Sequence, residues 1–141
     1  MTVAWTGIAS SLLSEGRIVH SRFKLPVPIL GTSTSSIPPN TKEPEEIRKI
    51  HVFIWDEAPM ASYYALNAIN ILLRDIMNIG TSFGSKVMIF DEGFRQFVPV
   101  IRLAKKSELI AASIKSSNLW PYFKIIHLNQ NMRAGPGEEE F

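Results

Sequence analysis

The sequence is 141 residues long, 45% hydrophobic and 20% charged, with 15 Lys and Arg against 13 Asp and Glu and a formal net charge of +2. That balance suits one folded domain with a real core and excludes a low-complexity chain, while the absence of Cys excludes disulfides and thiolate metal sites and fits a reducing intracellular setting. No run approaches the roughly 18 apolar residues of a spanning helix and no secretory pattern opens the chain, so a soluble protein with no membrane partner is expected, its slight basic excess available to an anionic partner.

Met1 to Trp5 is short and apolar and reads as the end of a strand. Thr6-Gly7-Ile8-Ala9-Ser10-Ser11-Leu12-Leu13 opens a helix with Thr6 as its N-cap. A strand running into Thr-Gly and a helix places backbone amides where they can meet a phosphate backbone, the plainer role being a cap and nothing more. After the Glu15-Gly16-Arg17 stop, His20-Ser21-Arg22-Phe23-Lys24 gathers an imidazole, two cations and a ring within five residues. That mixture suits single-stranded nucleic acid, where basic groups track phosphates and rings stack on bases; the plainer alternative is a packed turn. Gly31 to Pro39, rich in Ser, Thr and Pro, reads as a mobile loop inside the domain, reaching to about residue 42.

Glu43 to Lys49 forms a short helix with Pro44 in its first turn and Arg48 and Lys49 at its end, matching the helix dipole. It delivers the chain to the central stretch, where His51 to Trp55 is a buried strand running straight into Asp56 and Glu57. This is the shape of a Walker B segment. In such a segment the first carboxylate, Asp56, helps hold the Mg²⁺ that bridges nucleotide phosphates, and the second, Glu57, orients or deprotonates the attacking water. The alternative is an ordinary strand ending in a solvated acidic turn.

Residues 60 to 77 place Ala65, Leu66, Ala68, Ile69, Leu72, Leu73, Ile76 and Met77 on one side and Asn67, Asn70 and Arg74 on the other, an amphipathic helix. The Gly80 to Ser85 turn leads to a second apolar strand, Val87 to Phe90, and so to a βαβ unit. In open α/β sheets functional groups gather at the carboxyl ends of the strands, which brings Asp56, Glu57 and Gln96 to one crevice. Gln96 both donates and accepts, suiting a group that senses a phosphate and the attacking water. Ser107 caps a helix to about Ser117, Leu119-Trp120-Pro121 closes it, and Lys124 to Leu128 is a third strand, after which Arg133 offers positive charge for a transferring phosphoryl group.

Thr6-Gly7-Ile8-Ala9, His20-Ser21-Arg22-Phe23-Lys24-Leu25-Pro26 after Gly16-Arg17, Ile54-Trp55-Asp56-Glu57-Ala58-Pro59-Met60, Leu73-Arg74-Asp75-Ile76, Phe94-Arg95-Gln96, Leu119-Trp120-Pro121 and Asn131-Met132-Arg133 occur in the order and spacing of a known family. Nearly the whole chain resembles the PIF-type (petite integration frequency) DNA helicases, especially the versions carried by Helitron-type transposons. The resemblance implies an α/β fold: a partial first RecA-like lobe over residues 1–141, a three-layer P-loop NTPase sandwich with a mainly parallel sheet. It implies a superfamily-one helicase that uses ATP and Mg²⁺ to move five-prime to three-prime along single-stranded DNA, in repair, recombination and telomere or genome maintenance, in the nucleus or the mitochondrion.

By that resemblance Asp56 and Glu57 serve Mg²⁺ and water activation, Gln96 and Arg133 contact the γ-phosphate, and Thr6, Gly7, His20, Ser21, Arg22, Phe23 and Lys24 lie along DNA. Two departures accompany it. The family's Gly-Lys-Ser or Gly-Lys-Thr phosphate loop, expected upstream of Thr6-Gly7, does not occur in the 141 residues, and Asp91-Glu92-Gly93 stands where the family has Gly-Gly-Asp. The missing helicase segments, including a second RecA-like lobe, are therefore expected partners, and a truncated, inactive lobe that binds single strands weakly is the alternative function.

Overall fold

The computed structural model describes residues 1–91 and 112–128. Gln96 and Arg133, with Glu92, Gly93 and Ser107, lie outside the described residues. Among the described residues the centre is a parallel four-stranded sheet in the order β2-β1-β3-β4, formed by β1 (Thr2–Ala4), β2 (Arg17–Ile18), β3 (Val52–Asp56) and β4 (Val87–Phe90). β1 and β3 pair with Ala4 opposite Asp56, and β3 and β4 pair with Trp55 opposite Phe90. Helices α1 (Gly7–Leu12), α2 (Val19–Arg22), α3 (Lys42–Lys49) and α4 (Tyr63–Met77) complete the α/β arrangement.

The amphipathic pattern places α4 correctly, three residues shorter at its start because Ala58–Met60 forms a separate 3₁₀ turn. Its buried Ala65, Leu66, Ala68, Ile69, Leu72, Leu73 and Ile76 recur at the spacing of one helical face. Asn78 ends it in the left-handed region, its N–H returning to the carbonyls of Arg74 and Asp75. Leu66, Ile69 and Leu73 join Phe23, Ile47, Phe53 and Trp55 in a common core.

Polar side chains tie the elements by their ends. Asn70 Oδ1 accepts from the Phe83 N–H at 2.7 Å, and Arg48 Nε donates to the Ile76 carbonyl at 3.0 Å. The buried Lys86 ammonium donates to the carbonyls of Arg48 (3.1 Å) and Ile50 (2.6 Å), satisfying acceptors that α3 leaves open at its C-terminus. Burial lowers the Lys86 pKa from its ordinary value.

Three expectations change. The central strand is buried on one face only: Phe53 and Trp55 point into the core, whereas Ile54 is 38% exposed. The helix expected to reach Ser117 is absent from its described end, where Ser113 bridges to Ser62 and Ile114–Ser116 makes a 3₁₀ turn. Ser113 Oγ accepts from the Lys115 N–H there, the local competition by which Ser disfavours helix interiors. Lys124 to Leu128 is not a strand; Ile126 is 75% and Leu128 92% exposed. An apolar run of that kind needs cover on both faces, and no described strand lies beside it to supply a ladder. The loop expected over about 31–42 is irregular up to α3; within it the Ser36 N–H donates to the Lys24 carbonyl (3.1 Å), and Ser35 Oγ donates to the Phe23 carbonyl (2.7 Å).

Candidate functional site

The site forms where β1 and β3 end side by side. Parallel pairing of Ala4 with Asp56 carries the next residues of each strand, Trp5-Thr6 and Glu57, off the same edge of the sheet. Glu57 leaves β3 in the left-handed conformation (φ 56°, ψ 29°), and its N–H donates to Asp56 Oδ1 at 2.8 Å. A non-glycine residue adopts that backbone at a cost of about 1–2 kcal/mol, so surrounding contacts must hold it. The Met60 N–H donates to the Glu57 carbonyl at 3.0 Å, and Pro59 is buried beneath the turn.

Glu57 then reaches across to β1. Its Oε2 accepts the Thr6 hydroxyl at 2.7 Å and the Thr6 backbone N–H at 3.1 Å. Thr6 is also the expected N-cap of α1, Oγ1 accepting from the Ala9 N–H at 3.3 Å. Sequence reasoning placed Thr6 beside DNA and Glu57 beside nucleotide; the structure joins them. The missed signal was the register itself, since a Thr just past one strand and a Glu just past its neighbour must meet.

Beneath this pair lies an aromatic stack that the sequence did not reveal. Trp5 stacks on Trp55 with ring centroids 6.2 Å apart, and His20 packs on Trp5 at 4.4 Å. Burial lowers the His20 pKa from its ordinary value. His20 is therefore half inside the fold, under the site.

The rest of the basic cluster is corrected in part. Phe23 is fully buried against Phe53 and is a core residue, because the short α2 turns it inward; its ring is not available to stack on a base. Arg22 is only 8% exposed at its side chain and donates to Glu46 at 3.1 Å. Lys24 pairs with Glu43, whose carboxyl it holds well below the usual carboxylate range. Both acidic partners come from α3, and neither was anticipated. Gly7 and Ser21 are exposed.

Among the described residues no group of three or more His, Asp or Glu side chains is placed to hold a metal ion. The adjacent carboxylates Asp56 and Glu57 instead suit an ion that takes one or two protein oxygens and fills its remaining positions with phosphate and water, as Mg²⁺ does. No helix among the described residues is long and apolar enough to cross a membrane.

A family model described as PIF1-like helicase matches residues 1–140. Among solved structures, Pif1 helicase from Bacteroides in complex with ADP-AlF3 and single-stranded DNA is 23% identical, with a TM-score of 0.72 over 84% of this chain and 29% of that one. Bacteroides Pif1 bound to single-stranded DNA is 26% identical, with a TM-score of 0.63 over 77% and 25% of the two chains. Pif1 helicase from Candida albicans is 25% identical, with a TM-score of 0.67 over 84% and 26%. The chain thus spans between 25% and 29% of these helicases. No curated protein matches the sequence. The likeness makes the α/β fold RecA-like.

Proposed function

This chain belongs to the PIF1-like helicase family, and from that premise we propose that it is part of the first RecA-like lobe of an ATP-dependent DNA helicase, moving five-prime to three-prime on single-stranded DNA. The observation that carries the reading is the edge formed by β1 and β3, where Asp56 and Glu57 stand beside the Thr6-Gly7 turn. Asp56 would hold Mg²⁺ and Glu57 would take the proton of the attacking water; bound Mg²⁺ would supply charge stabilisation to the nucleotide phosphates. Gln96 and Arg133 complete the γ-phosphate contacts in this reading, and Gly7 and Ser21 face the strand. Service in DNA repair, recombination and telomere maintenance, in the nucleus or the mitochondrion, extends the same proposal.

The test is ATP hydrolysis by the complete protein that carries this chain, with and without single-stranded DNA. Stimulation by DNA is expected, together with a fall in kcat of about 10²–10⁴-fold in Glu57→Gln. Equal rates in the two proteins would refute it.

The sequence contains no Gly-Lys-Ser or Gly-Lys-Thr, and this favours a second reading for the 141 residues alone: a weak single-strand binder without turnover. Without that loop's amides and Lys the nucleotide phosphates lose most of their cradle. No DNA-stimulated phosphate release is expected from the isolated chain, and a DNA-dependent rate abolished by Glu57→Gln would overturn this second reading.

A further inference from the structure

Besides its carbonyl, which accepts from the Ser10 N–H in the first turn of α1, Thr6 makes three hydrogen bonds whose directions determine one another. Its Oγ1 accepts from the Ala9 N–H (3.3 Å), which aims a lone pair at α1 and leaves the hydroxyl proton for Glu57 Oε2 (2.7 Å). Its backbone N–H donates to the same oxygen (3.1 Å). Two donors converge on one carboxylate oxygen, and hydrogen bonds to an ionised acceptor are the stronger kind. The residues they join are 51 positions apart and leave different strands. Glu57 makes these contacts from a left-handed backbone conformation.

Oε2, engaged by two donors, is poorly placed to accept a proton from water, and the same two bonds fix the direction in which Oε1 points. Gly7 follows Thr6 directly and is exposed, and a Cβ added there would meet only Ile18 Cδ1, at an ordinary 3.6 Å. A strand laid across this turn therefore meets the residue next to the one that holds Glu57.

We propose that Thr6 is a positioning residue: it ties the Glu57 carboxylate to the start of α1, and contact of a single strand with the Thr6-Gly7 turn reorients that carboxylate. The inference rests on the proposed reading of Glu57 as the base and of this turn as a DNA contact. It adds that the two are coupled through one side chain. The plainer role for Thr6 is a helix cap, and Asp in its place separates the roles, since Asp caps as well as Thr but repels Glu57.

The experiment is NMR of the isotope-labelled 141-residue chain titrated with an oligothymidylate, following the Thr6 and Gly7 amides and the Glu57 side-chain carboxyl carbon. In the native chain and in Thr6→Ser all three are expected to move together. In Thr6→Val and Thr6→Asp the Glu57 carboxyl signal is expected to start displaced and to lose its response to DNA. A Glu57 signal that stays still while Gly7 and Ser21 respond would overturn the coupling and leave the DNA-binding reading intact. A response of equal size in Thr6→Val would overturn it too. If no amide responds to the oligonucleotide, the DNA reading falls and the coupling with it. The native titration decides the matter even where a variant fails to fold.

Discussion

Phe23 packs on Phe53 with ring centroids 5.6 Å apart and planes tilted by 49°, and both rings are buried. The aromatic residue that the basic cluster offers to a base is thus a brace between α2 and the central strand. Phe23→Ala is expected to cost about 3–5 kcal/mol, read by chemical denaturation. Phe23→Leu keeps most of the volume and should cost no more than about 1.5 kcal/mol while binding an oligothymidylate as the native chain does. Weakened DNA binding by a fully folded Phe23→Leu would place the ring at the interface after all.

The partners of Arg22 and Lys24 lead to a second outcome. Glu46 and Glu43 hold these cations against α3, so a phosphate backbone must compete with two carboxylates. Replacing both acids by Gln is expected to tighten single-strand binding and to steepen its salt dependence. Each additional phosphate neutralised on a single strand adds about 0.7 to the slope of log affinity against log salt. Fluorescence anisotropy across a salt series reads both quantities. An unchanged slope would mean that these cations do not meet the strand.

What the sequence could and could not disclose follows from the range of each interaction. α4 and β4 are legible because a 3.6-residue period and a short apolar run between turns are local signals. Thr6 as a cap is equally local, and the structure bears it out. The link from Thr6 to Glu57 is not legible, because it depends on which strands neighbour each other and in what register. The same holds for Phe23, whose inward turn is set by α2 packing on Phe53, and for Lys24, whose partner lies 19 residues away. Lys124 to Leu128 failed for the converse reason: strand propensity is expressed only where a neighbour supplies the ladder.

Gly84 sits between α4 and β4 with φ +58°, where an added Cβ would lie 2.4 Å from the Leu73 carbonyl oxygen and 2.8 Å from Met77 Cγ. Neither the backbone angle nor the helix carbonyl can give way cheaply. Gly84→Ala is expected to destabilise by about 1–3 kcal/mol, seen as a lowered midpoint of urea unfolding. Gly80, whose Cβ would meet nothing, is the control. Equal midpoints for the two variants would contradict the described turn.

His20 carries the last prediction, because its ring packs on Trp5 at 4.4 Å and Trp5 stacks on Trp55 under the site. Burial lowers its folded pKa from the ordinary 6.5, so between the two values the unfolded chain binds a proton that the folded chain does not. The stabilisation is complete above pH 6.5 and is lost progressively as pH falls from there toward the folded value. His20→Phe keeps an aromatic ring against Trp5 without a titrating nitrogen. Denaturation measured from about pH 8 down to about pH 5 should show the native chain losing stability across the His range more steeply than the variant. Because the His20 ring packs directly on Trp5, the same acidification should shift the Trp5 indole resonance, and a shift confined to His20 would separate the ring from the site above it.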